Sequence, residues 1–199
     1  MAYLIVGLGN PGTEYEQTRH NAGRLVLMAW AKAYQKSGDL SDWKLDKSSQ
    51  AQKATGEVAG EKVTLLLPET FMNKSGISLK DKIKNPKQAE KLIVIHDDLD
   101  LPLGSLKISF NRGSGGHKGL ESIIRMLKTK AFIRLRVGIC PTTPSGKPKK
   151  PGADKILDFI IGPFKTPEQE VLKKVLKQSS QALDLLVGEG REKAMGEIN

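Results

Sequence analysis

A chain of 199 residues, 38% of them hydrophobic, fits one domain with a substantial core. It carries no apolar run near the roughly 18 residues that a membrane span needs, and the start MAYLIVG lacks the basic region of a signal peptide. A net charge of +10 narrows the partner to nucleic acid, acidic lipid or none, and the lone Cys140, unable to form an internal disulfide, suits a reducing cytoplasm.

Residues 3–8 read as a buried strand that empties into Gly7-Leu8-Gly9-Asn10-Pro11-Gly12, followed by Glu14-Tyr15 and Thr18-Arg19-His20-Asn21-Ala22-Gly23. An amphipathic helix is expected from Asn21 to about Ser37, with Leu25, Val26, Met28, Ala29 and Ala33 at helical spacing. Residues 51–58 and 62–67 read as strands around the turn Ala59-Gly60-Glu61, and Pro68 leads into Thr70-Phe71-Met72-Asn73-Lys74-Ser75-Gly76. Residues 75–84 look helical. Leu92 to Ile95 is a continuous apolar run of the kind found in central strands, and residues 96–104, beginning His96-Asp97-Asp98-Leu99-Asp100, read as the loop it delivers. Leu106 to Phe110 alternates as a strand that can run antiparallel and ends at Asn111 to Gly119; a helix to about Leu127 and a strand from Ile133 to Ile139 follow. Residues 141–152, rich in Pro, Gly, Lys and Thr, read as a mobile surface loop. Thr166-Pro167-Glu168-Gln169 reads as a capped start to a helix carrying Val171, Leu172, Val175, Leu176, Ala182, Leu183, Leu186 and Val187 on one face. The alternation predicts one α/β domain over residues 1–199, with a central, mixed but mostly parallel twisted sheet and helices on both faces.

The spacing Gly7-x-Gly9-x-x-Gly12 matches the dinucleotide fingerprint literally, but Pro11 and Gly12 break the chain where a helix should open. No acid closing a second strand lies about 20 residues on, where Lys32-Ala33-Tyr34 stands. Three polar loops, 9–20, 70–76 and 96–104, share one sheet edge if their strands are parallel, in the crevice where such folds place ligands. There His20 beside Asp97, Asp98 or Asp100 suits water activation, Asp97 being first off its strand. No His-x-x-x-His or Cys pair supports a metal among His96, Asp97, Asp98 and Asp100, and Gly113-Ser114-Gly115 is not a nucleophile elbow. Asn10 and Asn73 offer amides suited to a carbonyl or a peptide backbone, and Lys107, Arg112, Lys118, Arg134 and Arg136 form a basic group suited to phosphate.

The segments GLGNPGTEYEQTRHNAG, TFMNKSG, HDDLDLPLGSLKIS, GSGGHKGLESI and FIRLRVGI together resemble bacterial-type peptidyl-tRNA hydrolases in order and spacing from residue 5 to about 139; the C-terminal region matches in general character only. The resemblance implies hydrolysis of the ester between a peptide and the 3′ ribose of tRNA, by a cytoplasmic monomer without metal or organic cofactor. It implies His20 as the base that activates water and Asp97 as its orienting partner. Asn10 and Asn73 would position the peptidyl ester, Tyr15 and Met72 would line the 3′-end pocket, and His117 would sit close by. Lys107 and Arg136 match positions linked with tRNA phosphate.

Two departures stand out. Lys118 replaces the Asn usual after Gly-Gly-His, and a cation there is expected to depress the pKa of His20 or to grip a phosphate. Ser109 replaces a frequent basic residue, with Arg112 or Lys147, Lys149 and Lys150 as substitutes. The alternatives are a non-catalytic RNA-binding relative, as in the intron-splicing branch of the family, and an unrelated nucleotide-dependent enzyme.

Overall fold

The computed structural model describes residues 2–143 and 145–199. In chain order its elements are β1 (Tyr3–Gly7), α1 (Ala22–Ser37), β2 (Lys44–Asp46), β3 (Ala51–Val58), β4 (Glu61–Pro68), α2 (Pro86–Ala89), β5 (Leu92–Pro102), β6 (Leu106–Phe110), α3 (Lys118–Leu127), β7 (Ile133–Cys140), α4 (Ile156–Ile161), α5 (Thr166–Gly188) and α6 (Arg191–Ile198). Among the described residues no helix is long and apolar enough to cross a membrane.

The seven strands form one sheet in the order β2-β3-β4-β1-β5-β7-β6. β4, β1, β5 and β7 are mutually parallel, and the flanking pairs β2–β3, β3–β4 and β6–β7 are antiparallel. The parallel centre explains its continuous apolar runs, because helices cover both faces. On one face α1, α5 and α6 bury Ile5, Leu65, Ile93, Ile95, Leu135 and Ile108; on the other α3 and a 3-10 segment, Met72–Leu79, bury Val6, Leu66, Val94 and Phe132.

Several boundaries differ from the sequence expectation. The stripe of α1 that enters the core is Val26, Leu27, Trp30 and Ala31, leaving Met28 exposed. The helix expected at 75–84 is the 3-10 segment, beginning at Met72 and ending at Leu79. Thr166 is not the cap of α5 but its first residue: Lys165 is the N-cap, and its N–H donates to Glu168 Oε2 at 2.7 Å. The short elements β2, α2, α4 and α6 carry too little periodicity to read. Of the expected surface loop at 141–152, Pro144 lies outside the described residues; Thr142 bridges to Pro148.

The largest difference places the site. Residues 96–102, expected as loop, continue β5: His96 pairs with Arg136, Asp97 with Val137 and Asp98 with Gly138. A register irregularity between Asp98 and Pro102 bends the strand before Pro102 meets Cys140. The apolar run stops at Ile95, but His96 and Asp97 remain buried and exposure begins at Asp98, while the partner β7 continues to pair.

Candidate active site

His20 stands past the carboxyl end of β1 and beside the middle of β5, in a single 3-10 turn, Arg19–Asn21, that opens α1. That approach is tight. The Arg24 N–H donates to the Leu8 carbonyl at 2.9 Å and the Leu8 N–H to the Ile95 carbonyl at 3.0 Å. A Cβ on Gly23 would meet the Ile95 carbonyl oxygen, and one on Gly7 would come within 2.7 Å of the Gly23 carbonyl oxygen. Of the glycines that mimic a dinucleotide fingerprint, Gly7 and Gly9 therefore serve close approach to the start of α1, and Gly12 serves a turn at φ 105°. Gly12 precedes only a single 3-10 turn, Thr13–Tyr15, and α1 opens at Ala22, so no α-helix N-terminus meets Gly12.

His20 Nδ1 lies 2.9 Å from Asp97 Oδ1, and His117 Nε2 lies 3.0 Å from the same oxygen. Both His20 and Asp97 are buried, at 7% and 4% exposure. An ionised carboxylate only accepts hydrogen bonds, so His20 carries its proton on Nδ1 and leaves Nε2 with a free lone pair. Burial opposes charge on His20, but the Asp97 charge and hydrogen bond together outweigh it and hold its pKa above the ordinary 6.5. Burial likewise opposes charge on Asp97, and the two histidines hold its carboxyl far below the usual carboxylate range. His96, behind them, donates from Nδ1 to the Asp97 carbonyl at 2.7 Å; burial, then the neighbouring His117, push its pKa well down.

His20, Asp97 and His117 hold atoms able to ligate a cation within 4.8 Å of one another. Both nitrogens of His117 and the Asp97 oxygen it shares with His20 are, however, already engaged within the protein, which leaves His20 Nε2 as the free ring nitrogen of the group. Both ring N–H groups are directed at one carboxylate oxygen, and His117 Nδ1 accepts the Gly119 and Leu120 N–H groups at 3.1 and 3.3 Å.

Asn10 is fixed through both backbone and side chain. Its N–H donates to Asn21 Oδ1 at 2.8 Å, its carbonyl accepts from Asn21 Nδ2 at 3.0 Å, and its own Oδ1 accepts the Met72 N–H at 2.8 Å. Nδ2 of Asn10 remains available as a donor. Asn21, expected only to start a helix, is thus the residue that holds Asn10. Asn73 is exposed beside it, and Tyr15 packs edge-on to the exposed Phe71 with ring centroids 6.4 Å apart. Met72 is buried against Leu8 and Leu120 rather than presented on a surface.

A cleft of about 880 Å³ opens beside His20 and Asp97. It gathers His117, Lys118, Lys107, Arg112, Arg134 and Arg136; Asn10, Tyr15, Met72 and Asn73 are not among its walls. The basic residues divide by their bonding. Lys107 and Arg112 are exposed, and Arg136 is held by Asp98 at 2.7 Å while still partly open. Arg134 is buried: its guanidinium donates to the Arg112 and Gly113 carbonyls and lies 4.8 Å over the Phe132 ring, so it braces the wall instead of facing a ligand. Burial, with Arg136 nearby, lowers its pKa to about 10. Ser109 is buried beside it across the β6–β7 pairing. Of its expected substitutes, Arg112 lines the cleft, whereas Lys150 pairs with Asp100 and Lys147 and Lys149 line no part of it. Lys118, largely exposed, points to Glu121 at 3.3 Å, and the pKa of His20 is raised by Asp97 where a depression by Lys118 had been one of two expectations.

The sequence reading missed the far wall, made by Ile156 and Ile160 of α4 and by Arg191, Met195 and Asn199 at the end of the chain. Asn199 joins the open edge of β6, its Oδ1 accepting the Ile108 N–H at 2.8 Å and its Nδ2 donating to the Ile108 carbonyl at 3.0 Å. Arg19 ties the His20 turn to that side. It donates to Glu168 at 2.6 Å and to the Phe159 and Gly162 carbonyls at 3.3 and 3.2 Å.

The sequence pattern of the family described as peptidyl-tRNA hydrolase matches residues 4–199. The chain belongs to that family. It is 39% identical to the peptidyl-tRNA hydrolase of Syntrophotalea carbinolica, over 98% of this chain and 96% of the relative, and 40% identical to that of a Geobacter species, over 100% and 98%. The crystal structure of the Acinetobacter baumannii peptidyl-tRNA hydrolase superposes with a TM-score of 0.85 at 34% identity, covering 100% of this chain and 94% of that one. The chain is therefore a hydrolase, and the family match extends through the C-terminal helices, whose sequence had shown only a general likeness.

Proposed function

We propose that this peptidyl-tRNA hydrolase cleaves the ester between a peptide and the 3′ ribose of tRNA by direct attack of water, with His20 as general base. The observation that carries the proposal is the 2.9 Å bond between His20 Nδ1 and Asp97 Oδ1, which leaves Nε2 basic beside the cleft. Nε2 takes a proton from water as its oxygen bonds to the ester carbonyl carbon. Asp97 stabilises the resulting imidazolium, which returns the proton to the departing ribose oxygen. Asn10 Nδ2, free to donate, holds the carbonyl side of the substrate, and the exposed Asn73 holds the peptide backbone. Lys107, Arg112 and Arg136 receive the tRNA phosphates, an interaction that scales with released counterions. No metal or organic cofactor enters these steps, and the unit acting is a monomer in the cytoplasm.

The test is release of an N-acetyl-amino acid from N-acetyl-aminoacyl-tRNA in the presence of chelator. His20→Ala should lower kcat by about 10²–10⁴-fold, the usual worth of a positioned general base, with tRNA binding retained. Near-full turnover in that variant would remove His20 from the chemistry. No turnover by the natural chain, with tRNA still bound, would favour the RNA-binding alternative.

A further inference from the structure

His117 has both ring nitrogens engaged by the protein. Nδ1 accepts the Gly119 and Leu120 N–H groups at 3.1 and 3.3 Å, so the imidazole is the N-cap of α3. Its proton is thereby assigned to Nε2, which reaches Asp97 Oδ1 at 3.0 Å. No nitrogen is left for substrate. The oxygen it occupies is the one His20 uses, although Asp97 has a second. The two imidazole rings stand with centroids 5.0 Å apart.

From this geometry we infer that His117 is a positioning residue that tempers Asp97, limiting how strongly the carboxylate favours imidazolium at His20 and so keeping the base free to accept a proton near neutral pH. The inference rests on the proposed role of His20. Physically, Asp97 can hold His20 in the correct tautomer only by a bond that also favours its protonated form. A base kept protonated is useless at neutral pH, and catalysis wants a pKa near the working pH. A second donor on the same oxygen draws off part of its negative potential, and the positive end of the His117 N–H dipole lies near His20. Helix α3 fixes that donor's direction because its first amides take the other nitrogen.

Other charges do not provide this control. On the elements packed against the His20 turn, Arg19, Arg24 and Asp98 sit in their own ion pairs with Glu168, Glu69 and Arg136. Asp100 pairs with Lys150, Lys118 pairs with Glu121, and Asp158, Lys32 and Lys36 are exposed on the outer sides of α4 and α1. His96 contacts the Asp97 carbonyl, not its carboxylate.

The experiment compares kcat against pH for the natural chain, His117→Asn and His117→Ala, with the His20 ring followed by NMR titration in the free protein. Asn keeps an acceptor for the α3 amides but is too short to reach Asp97 as the imidazole does. Both variants should move the acid limb and the His20 titration upward by roughly half to one pH unit, the scale set by one hydrogen bond. Activity below the limb should fall about 3–10-fold and recover at higher pH, while His117→Ala alone loses thermal stability through the missing cap. A limb and a titration that stay in place, with kcat reduced equally at all pH values, would reduce His117 to a structural cap and overturn the inference. A limb that moves downward would overturn it too. Turnover indifferent to His20→Ala would instead sink the parent proposal, and the NMR titration would still report on the coupling.

Discussion

Replacing Asp97 by Asn isolates charge from geometry at this site. The carboxamide introduced by Asp97→Asn would keep an oxygen for both the His20 Nδ1 and His117 Nε2 protons, which converge at 2.9 and 3.0 Å on Oδ1 of the natural carboxylate. What disappears is the negative charge facing the imidazolium that forms as water is deprotonated. Two unit charges about 4 Å apart attract by about 4 kcal/mol at an effective dielectric near 20. With roughly 1.4 kcal/mol per decade, kcat should fall about 10³-fold. The pH profile should move as well. Rate follows the unprotonated base, so the natural chain should gain activity as pH rises through an acid limb above the ordinary 6.5, where the Asp97 charge and bond overcome burial. In Asp97→Asn the desolvation of His20 acts without an opposing charge, and the limb should move below that value. The assay is single-turnover hydrolysis of N-acetyl-aminoacyl-tRNA from pH 5 to 9, with circular dichroism to verify the fold. A variant with a near-normal plateau, or with its limb unmoved, would refute the idea that Asp97 acts on His20 by charge.

Three further outcomes follow from the packing and bonding around the site. Arg136→Ala should reduce the slope of log K against log salt for tRNA binding by about 1, whereas Arg134→Ala should leave the slope alone and lower stability by about 1–3 kcal/mol, since it braces two carbonyls; filter binding and thermal melts separate the two. Arg19→Ala removes the charge-assisted bond to Glu168, which keeps the Lys165 N–H, and should cost about 1.5–3 kcal/mol, or a fall in Tm of roughly 3–12 °C; an unchanged Tm would deny that this bridge holds α4 and α5 to the His20 turn. Gly23→Ala drives a methyl group against the Ile95 carbonyl and should cost about 1–3 kcal/mol by overpacking, read by urea unfolding.

Much of the architecture was legible because the parallel centre writes itself as uninterrupted apolar runs. Leu92 to Ile95 announced a covered strand, and Leu4 to Val6 of β1 and Leu65 to Leu67 of β4 had similar runs; β7 instead alternates Arg134 and Arg136 with apolar residues. What failed were features whose cause lies in another segment. His96 to Pro102 has the composition of a loop, yet β7 continues beside it and supplies the pairing, so the strand persists after its apolar run ends. Met28 looked like a core residue of α1 beside Val26, but Gly23 and the turn before it set the rotation of the helix, and Val26 entered the core as expected with Leu27 and Trp30 in place of Met28. The last helix has little apolar periodicity, so nothing in Arg191–Ile198 foretold that Asn199 would pair with the edge of β6 and close one side of the cleft.

At the site the sequence supplied the residue types, and three-dimensional bonding decided their use. Arg134 and Arg136 are two positions apart on one strand and share a face of the sheet, so periodicity treats them alike. Arg134 meets the Arg112 and Gly113 carbonyls and is absorbed into the wall; Arg136 meets Asp98 and keeps an open side toward the cleft. Lys118 and His117 divide in the same manner. The first, conspicuous as a departure from the family pattern, turns along α3 to Glu121, and the second turns inward to a carboxylate because its other nitrogen caps the helix. For Arg134 and His117 the partners meet only when loop 111–117 lies against β5 and β7, whereas Asp98 of β5 waits beside Arg136 and Glu121 lies one helical turn from Lys118. Asp97 and His20 escaped this ambiguity because a buried residue of β5 meets a buried turn, so the shared bond between Nδ1 and the carboxylate is what satisfies both groups on that side.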